Sequence, residues 1–357
     1  MMIGRLAPHA LVVGAACALA ACSTLANLSA PDPNVSNSRA FVYTAIGASD
    51  AVGFGSSAPC NTAAVMIGAD TEQMPSPASC PAGRGYVPAV SRLLATGVNT
   101  VTLTDLGISG AVLGPAERTL GNTYEPSVFG CSPCIPGDFI TDELPLIPSA
   151  QNTVTVFAGG NDIDAVFSHV VVACAGGCTQ AQLGAILMTD LGNFGADYQS
   201  LLNSVHAAFP FARIYVADLP NFGLTPRGIC IGSNPATAPP FCTANDPPLN
   251  RPDLQFVLDL ISTTMDADVI NAIAATGIPV LDLECDPKSY APANFFIDGF
   301  HPDDSGYALL ADLFATAIRN YGAPAPSGNC GAFSQAIVGR PATNAIVVRG
   351  GRVRLKR

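Results

Sequence analysis

The sequence predicts an α/β fold in which a five-stranded parallel sheet lies between two layers of helices. Five short segments rich in strand-forming residues occur along the chain, and helical patterns separate most of them. This alternation is typical of parallel strands with helices on both faces. The chain is 49% hydrophobic and only 12% charged, so it can fill a large core. We therefore expect one three-layer α/β/α domain.

The predicted strands are apolar or β-branched runs that end at small or polar residues. The first ends at Gly47, where Ala48 and Ser49 follow. In open α/β sheets, ligands bind at the carboxyl edge of the strands, so residues just beyond each strand are candidates for a site. The predicted strands cover residues 41–46, 100–106, 154–158, 213–217 and 278–283.

The predicted helices carry apolar residues every three or four positions, which places these residues on one face. They cover residues 86–95, 181–209, 253–276 and 304–321, and Gly322 can end the last one. A shorter helix-like run follows the third strand. The remaining connections, 55–83, 114–152 and 222–251, are rich in proline and small residues and are expected to be loops that wall the site.

The first 21 residues are predicted to be an export signal. Arg5 precedes an apolar stretch, 6–21, that is too short to span a membrane comfortably. The stretch ends in Leu-Ala-Ala-Cys at 19–22, which resembles the lipobox of bacterial lipoproteins. The resemblance implies that Cys22 is acylated, and Ser23 after it implies the outer membrane if the source is Gram-negative. Cleavage after Ala20 is the alternative and would leave a periplasmic or secreted protein without lipid.

Four segments follow from these patterns. They are a signal at 1–21, a tether rich in Pro, Asn and Ser at 22–39, one domain of the size of an α/β enzyme at 40–330, and a basic extension at 331–357. The extension is interpreted as loose chain or an edge strand. The net charge is −11, and removing the signal with its single arginine makes it −12. This net charge argues against a nucleic-acid partner, because phosphate binding needs clustered lysine and arginine. We expect a monomer with no cofactor.

The cysteine count indicates an oxidising compartment. Of twelve cysteines, Cys17 leaves with the signal and Cys22 is the lipid candidate. An even number in an exported chain predicts disulfides, and their clustering within loops favours pairing between neighbours. Metal binding is the alternative, but Cys131-x-x-Cys134 lacks a second ligand pair at zinc spacing. The ten candidates are Cys60, Cys80, Cys131, Cys134, Cys174, Cys178, Cys230, Cys242, Cys285 and Cys330.

One histidine differs from the others in its surroundings. His9 leaves with the signal, and His169 and His206 lie in helical patterns where surface or rim positions are expected. His301 instead follows Asp298 by three residues, just before a helix. An aspartate so placed can accept the imidazole N–H, fix its tautomer and stabilise its protonated form. With Ser49, these residues form the components of a Ser-His-Asp unit.

Four short blocks in this order carry a family resemblance. The chain resembles the SGNH (GDSL-type) hydrolases over roughly residues 41–321, and the resemblance implies a flavodoxin-like three-layer fold. One departure is that Ala48 stands where the family usually has Asp, and Asp50 stands in place of Leu. The matching blocks are 47–50 (GASD), 107–110 (GISG), 159–162 (GGND) and 298–302 (DGFHP).

The resemblance also implies roles for individual residues. Ser49 would be the nucleophile, His301 the base and Asp298 its orienting partner. Backbone N–H groups of Ser49 and Gly110, with the Asn161 amide, would form the oxyanion hole. The sequence thus predicts an exported hydrolase of small-molecule or lipid carboxylic esters, with no metal. The alternatives are a carbohydrate O-acetyl esterase, which the absence of Trp disfavours, and a catalytically silent binding lipoprotein.

Overall fold

The structure is a computed structural model that describes residues 39–60, 80, 82–97, 99–242, 248–327, 330 and 352–353. The predicted signal, Cys22, the tether up to residue 38 and most of the basic extension lie outside these ranges. None of the helices within them has both the length and the apolar character needed to cross a membrane.

Five parallel strands form the central sheet, as the sequence predicts. Their order is β2-β1-β3-β5-β6, the doubly wound order in which the chain reverses direction beside β1. Gly47 at the end of β1 lies opposite Phe157 at the end of β3, so the residues that follow both strands meet at one edge. The strands are β1 Ala40–Gly47, β2 Thr100–Asp105, β3 Thr153–Phe157, β4 Cys178–Thr179, β5 Arg213–Ala217, β6 Val280–Leu281 and β7 Arg352–Val353.

Helices cover the sheet in two groups. The α-helices are α1 Ser49–Val52, α2 Tyr86–Leu94, α3 Pro115–Phe129, α4 Gly160–Ala173, α5 Gln180–Ala208, α6 Pro226–Gly232, α7 Pro252–Met265 and α8 Asp304–Asn320. Helices α2 and α8 pack on each other and on the strands, with Tyr86 and Phe314 stacked at 5.3 Å. Helix α4 contacts α3, α5 and α7 in the other group. The three-layer prediction is confirmed.

One predicted loop, 114–152, is partly helical, and that prediction was wrong. It contains α3, a π-helical turn at Phe139–Glu143 and a 3-10 turn at Leu144–Leu146. Helix α3 begins with proline after Gly114 and buries Glu117, Gly121 and Glu125. Because its inward face is polar or small, the apolar period that marks other helices is missing.

Smaller differences occur elsewhere. The predicted loop 222–251 contains α6. The predicted helix 253–276 is α-helical only to Met265. It continues as a π-helical turn at Asp266–Ile270 and a 3-10 helix at Asn271–Thr276. The fifth strand pairs over two residues only. Short 3-10 turns also occur at Pro287–Tyr290 and Pro292–Asn294. The two described residues of the basic extension form β7, which pairs antiparallel with β4.

All ten cysteines after Cys22 are disulfide-bonded, in consecutive pairs along the sequence. The pairing prediction is confirmed. Bonded sulfur does not provide the thiolate that metals need, so the two groups in which Glu125 or Glu284 lies beside a cysteine pair do not offer a thiolate site. The pairs are Cys60–Cys80, Cys131–Cys134, Cys174–Cys178, Cys230–Cys242 and Cys285–Cys330.

Candidate active site

Ser49 lies at the carboxyl edge of the sheet, where the sequence predicts it. Strand β1 ends at Gly47, and Ser49 is the first residue of the short helix α1. The Phe54 N–H donates to the Ser49 carbonyl at 2.9 Å, and the Ile108 N–H donates to the Gly47 carbonyl at 3.2 Å. These bonds hold the backbone on both sides of the serine, so its hydroxyl has a defined position.

His301 is carried by a tight turn that Asp298 organises. One oxygen of the Asp298 carboxylate accepts the backbone N–H groups of Phe300 and His301, both at 3.0 Å. Gly299 has φ of 62°, a left-handed conformation that favours glycine. The Phe296 N–H donates to the His301 carbonyl at 2.8 Å and closes the turn.

The side chains of these two turns form one hydrogen-bonded chain. Asp298 Oδ2 lies 2.7 Å from His301 Nδ1, and His301 Nε2 lies 2.9 Å from Ser49 Oγ. An ionised carboxylate can only accept, so Nδ1 carries the proton and Nε2 is left to accept the serine O–H. The structure thus brings together the three side chains of the predicted Ser-His-Asp unit.

The charge on Asp298 is stabilised by its surroundings. Burial alone would raise the pKa of its carboxyl, but the hydrogen bond and charge of His301 and the two backbone N–H groups outweigh it and lower the pKa below the usual value. Asp298 therefore stays ionised at neutral pH and favours an imidazole that becomes positively charged.

Aromatic rings contact the imidazole of His301. The ring centroids of Phe54 and Phe300 lie 4.6 Å and 4.8 Å from that of His301. Phe222 stacks on Phe300 at 5.0 Å, and Phe296 meets Phe54 edge-on at 6.1 Å. These contacts restrict the imidazole to one orientation and limit the access of water to it.

Asn161 of the third block, and Ala111, which follows Gly110 of the second, line a cleft together with Ser49. Gly110 has φ of 82°, which a larger residue rarely adopts. Asn161 lies in the first turn of α4, and its amide donates to the Ala111 carbonyl at 2.7 Å. The amide has a second N–H, which stays available to a ligand. A small cleft is lined by Ser49, Asp50, Ala111, Asn161, Leu219 and Phe300 among others.

Asp162 links the second block to the third. It is 1% exposed, and its carboxylate accepts the Leu113 N–H at 2.9 Å. Burial raises the pKa of Asp162 to about 7. The last residue of the GGND block therefore fixes the loop that carries Gly110 and Ala111, while Asn161 beside it lines the cleft.

Sequence analysis missed Glu143, which supports the serine turn. Its side chain is buried and accepts the Gly47 N–H at 3.1 Å, two residues before Ser49. Burial raises the pKa of this carboxyl well above its usual value. The turn lacks the aspartate that the family has at Ala48, and Glu143 provides a carboxyl contact to the neighbouring backbone. A glutamate among apolar residues in ITDELPLI was the available signal.

The other two described histidines lie outside this cluster. His169 follows the first residue of α4 by nine positions, which places it about 13 Å along the helix. Its Nδ1 lies 2.7 Å from Asp190 Oδ2, and its ring stacks on Tyr124 at 4.2 Å. His206 lies on α5 and is half-buried.

Several solved structures are similar in fold to this chain at low sequence identity. An extracellular lipase from Streptomyces rimosus is 14% identical with a TM-score of 0.43, covering 78% of this chain and 99% of its own. A phospholipase A1 from Streptomyces albidoflavus NA297 is 14% identical with a TM-score of 0.44, covering 77% and 98%. A Clostridium thermocellum family 3 carbohydrate esterase is 12% identical with a TM-score of 0.37, covering 79% and 97%.

The sequence itself identifies the family. Comparison with curated proteins finds no match. The family model of the GDSL-like Lipase/Acylhydrolase family matches residues 45–309, a span that begins within β1 and includes all four blocks, Ser49 and His301. This chain therefore belongs to the GDSL-like lipase/acylhydrolase family.

Proposed function

We propose that this protein is an exported serine hydrolase of carboxylic esters. The observation that carries the proposal is the chain of two short hydrogen bonds, 2.7 Å and 2.9 Å, from Asp298 through His301 to Ser49. Such a chain supplies a nucleophile, a base and an orienting carboxylate in one geometry. A purely binding role has no need for this proton path.

The proposed reaction has two halves. Ser49 Oγ attacks the ester carbonyl while its proton moves to His301 Nε2, and a tetrahedral oxyanion forms. Collapse of this intermediate breaks the ester C–O bond, and His301 gives the proton to the leaving alcohol. Water then loses a proton to His301 and attacks the acyl-Ser49 ester, which releases the carboxylic acid and returns the proton to Ser49.

The oxyanion needs preset donors, and three groups are proposed for it. They are the backbone N–H groups of Ser49 and Gly110 and the free N–H of the Asn161 amide. The bond from Asn161 to Ala111 orients the amide beforehand, so little reorganisation accompanies the reaction. Asn161 also carries no charge that would compete with Asp298 for His301.

The cleft favours apolar acyl groups. Phe157, Leu219 and Phe300 line it beside Ser49, whereas Asn161 and Asp50 are its polar members. We therefore propose esters with an apolar acyl part as substrates. The test is a hydrolysis profile over p-nitrophenyl esters of increasing chain length, with acetylated xylan in parallel. Hydrolysis of the xylan alone would instead support a carbohydrate O-acetyl esterase.

A serine-directed probe tests the mechanism independently of the substrate. An organophosphonate should label wild-type protein at Ser49 and fail to label Ser49→Ala. The His169→Ala variant should still be labelled, because His169 is bonded to Asp190 and stacked on Tyr124. Labelling of Ser49→Ala at the wild-type rate would contradict the assignment of the nucleophile.

We further propose that the protein is exported and anchored through a lipid on Cys22. The five disulfides support an oxidising compartment. Wild-type protein should partition with membranes, and Cys22→Ala should release it into the periplasm or medium. If both forms are soluble, cleavage after Ala20 is favoured. Thiol counting on denatured, unreduced protein should detect none of the ten later cysteines.

A further inference from the structure

We propose that Asp50 selects substrates by charge, favouring esters that carry a positive group near the scissile bond over neutral esters of the same shape. This inference rests on the proposed ester hydrolysis and adds a substrate class to it. Asp50 directly follows Ser49 in α1, where the resembled family usually has leucine. The substitution places a carboxylate where an apolar side chain is usual.

Asp50 lies in the cleft that substrate must enter. It lines the same cleft as Ser49, Asn161 and Phe300. Its carboxyl is close enough to the triad to be affected by it. Burial raises the pKa of Asp50, the charge of His301 lowers it, and the charge of Asp298 raises it. A substrate bound for attack by Ser49 therefore lies within the field of the Asp50 carboxylate.

Among the described residues, no lysine or arginine forms an ion pair with Asp50. Asp164 differs from Asp50 in this respect. It is also near His301, but the positive charge of Arg227 offsets its negative charge and lowers its pKa against the effect of burial. Arg227 lies over the Phe300 ring at 5.2 Å. No lysine or arginine of the described residues thus balances the negative charge of Asp50, and a cationic group of a ligand in the cleft would balance it.

The size of the effect follows from Coulomb's law. A cation about 5 Å from a carboxylate at effective dielectric constants of roughly 40 to 80 gains enough to change binding by about tenfold. A negative group in the same place would be repelled to a similar degree. Because Asp50 is half-buried and still reached by solvent, added salt should weaken the preference in part.

The test uses two aryl acetates that differ in charge but not in shape, meta-trimethylammoniophenyl acetate and meta-tert-butylphenyl acetate. The measured quantity is the ratio of their kcat/KM values. Asp50 also influences His301, but that influence acts on both esters and cancels in the ratio. The ammonio group also makes its phenol the better leaving group, and this electronic advantage is the same in every variant. The ratio should therefore be about tenfold higher in wild type than in Asp50→Asn and Asp50→Leu.

Asp312→Asn is the matched control, because Asp312 is exposed on α8 and its loss changes the net charge equally. It should keep the wild-type ratio, and raising the salt concentration should lower the wild-type ratio toward that of Asp50→Asn. A ratio that is the same in wild type and in Asp50→Asn overturns the role of Asp50 and leaves ester hydrolysis intact. Failure to hydrolyse either ester, together with no phosphonate labelling of Ser49, overturns the proposed function itself.

Discussion

Two histidine–aspartate pairs in this molecule share one distance but differ in their surroundings. In both, imidazole Nδ1 and carboxylate Oδ2 are 2.7 Å apart, in His301–Asp298 and in His169–Asp190. Asp298 also accepts two backbone N–H groups, and its pKa is lowered. Asp190 is 2% exposed, and burial raises its pKa although His169 partly offsets the shift.

The second ring nitrogen separates the roles of the pairs. Nε2 of His301 meets the Ser49 hydroxyl at 2.9 Å beside the cleft. The ring of His169 stacks on Tyr124 at 4.2 Å and joins α4 to α3 and α5. A His–Asp contact is therefore insufficient evidence for catalysis. Such a pair can act as a base when its free ring nitrogen faces a hydroxyl that must lose its proton as it attacks the substrate.

The largest expected effect comes from breaking the proton path. Ser49→Ala and His301→Ala should each lower kcat for a p-nitrophenyl ester by roughly 10⁴-fold or more, because nothing nearby replaces bond formation or proton transfer. His169→Ala, which removes the same type of ring, should keep kcat within about threefold, because His169 contacts Asp190 and Tyr124. Retained activity in Ser49→Ala with loss in His169→Ala would reverse the assignment.

The two aspartates give a finer comparison. Asp298→Ala should lower kcat substantially, yet by roughly a hundredfold less than His301→Ala, since water or a backbone carbonyl can partly orient the ring. Asp190→Asn should leave kcat nearly unchanged and lower the free energy of unfolding by about 1–3 kcal/mol, because a buried charge-assisted hydrogen bond is lost. Kinetics and urea unfolding on both variants separate the two outcomes. Equal losses of kcat would contradict the distinction.

The two ends of α4 offer a third comparison. Asn161 lies in its first turn at the cleft, whereas His169 lies about 13 Å further along. Asn161→Ala should lower kcat by about 10²–10³-fold with a smaller change in KM, the pattern of a lost oxyanion donor. Asn161→Asp is the matched variant of similar shape and should be at least as slow. A change in KM alone would indicate ground-state binding instead.

Local sequence signals predicted the parts of the site that rest on short turns. Ser49, Asn161 and Asp298 each follow a strand or precede a helix, and the spacing from Asp298 to His301 specifies their contact. Glu143 and Asp162 depend on distant partners, the N–H groups of Gly47 and Leu113. A sequence pattern does not indicate which backbone N–H group a buried carboxyl will contact.

The fold shows the same division. Four of the five sheet strands and three of the four predicted amphipathic helices end within one residue of their predicted bounds, whereas the predicted helix 253–276 is α-helical only to Met265. Helix α3 was missed because Glu117 and Glu125 occupy its buried face, which reverses the expected polarity. Tyr124 on this helix stacks on His169, and this contact could not be predicted while the helix itself was missed.

The smallest expected effect is a dependence of stability on pH. It distinguishes aspartates whose pKa is raised by burial from Asp298, whose pKa is lowered. Burial raises the pKa of Asp105 to about 7 and also raises that of Asp190. The folded state then holds more protons than the unfolded state between about pH 4 and 7, so stability falls as pH rises through this window. Asp298 acts oppositely, because its lowered pKa gives stability that is present above about pH 4 and lost in stronger acid.

Thermal unfolding across this range should therefore show a midpoint several degrees higher at pH 5 than at pH 8. Asp105→Asn should flatten the slope, because Asp105 is fully buried and its side chain accepts only the Gly107 N–H among the bonds that the structure shows. Asp298→Asn should leave the slope above pH 5 unchanged, since that carboxyl is ionised in both states there. A midpoint that rises toward pH 8 would show that the buried carboxyls are ionised in the folded protein. An Asp298→Asn variant that flattens the slope as Asp105→Asn does would show that the contrast between Asp105 and Asp298 is wrong.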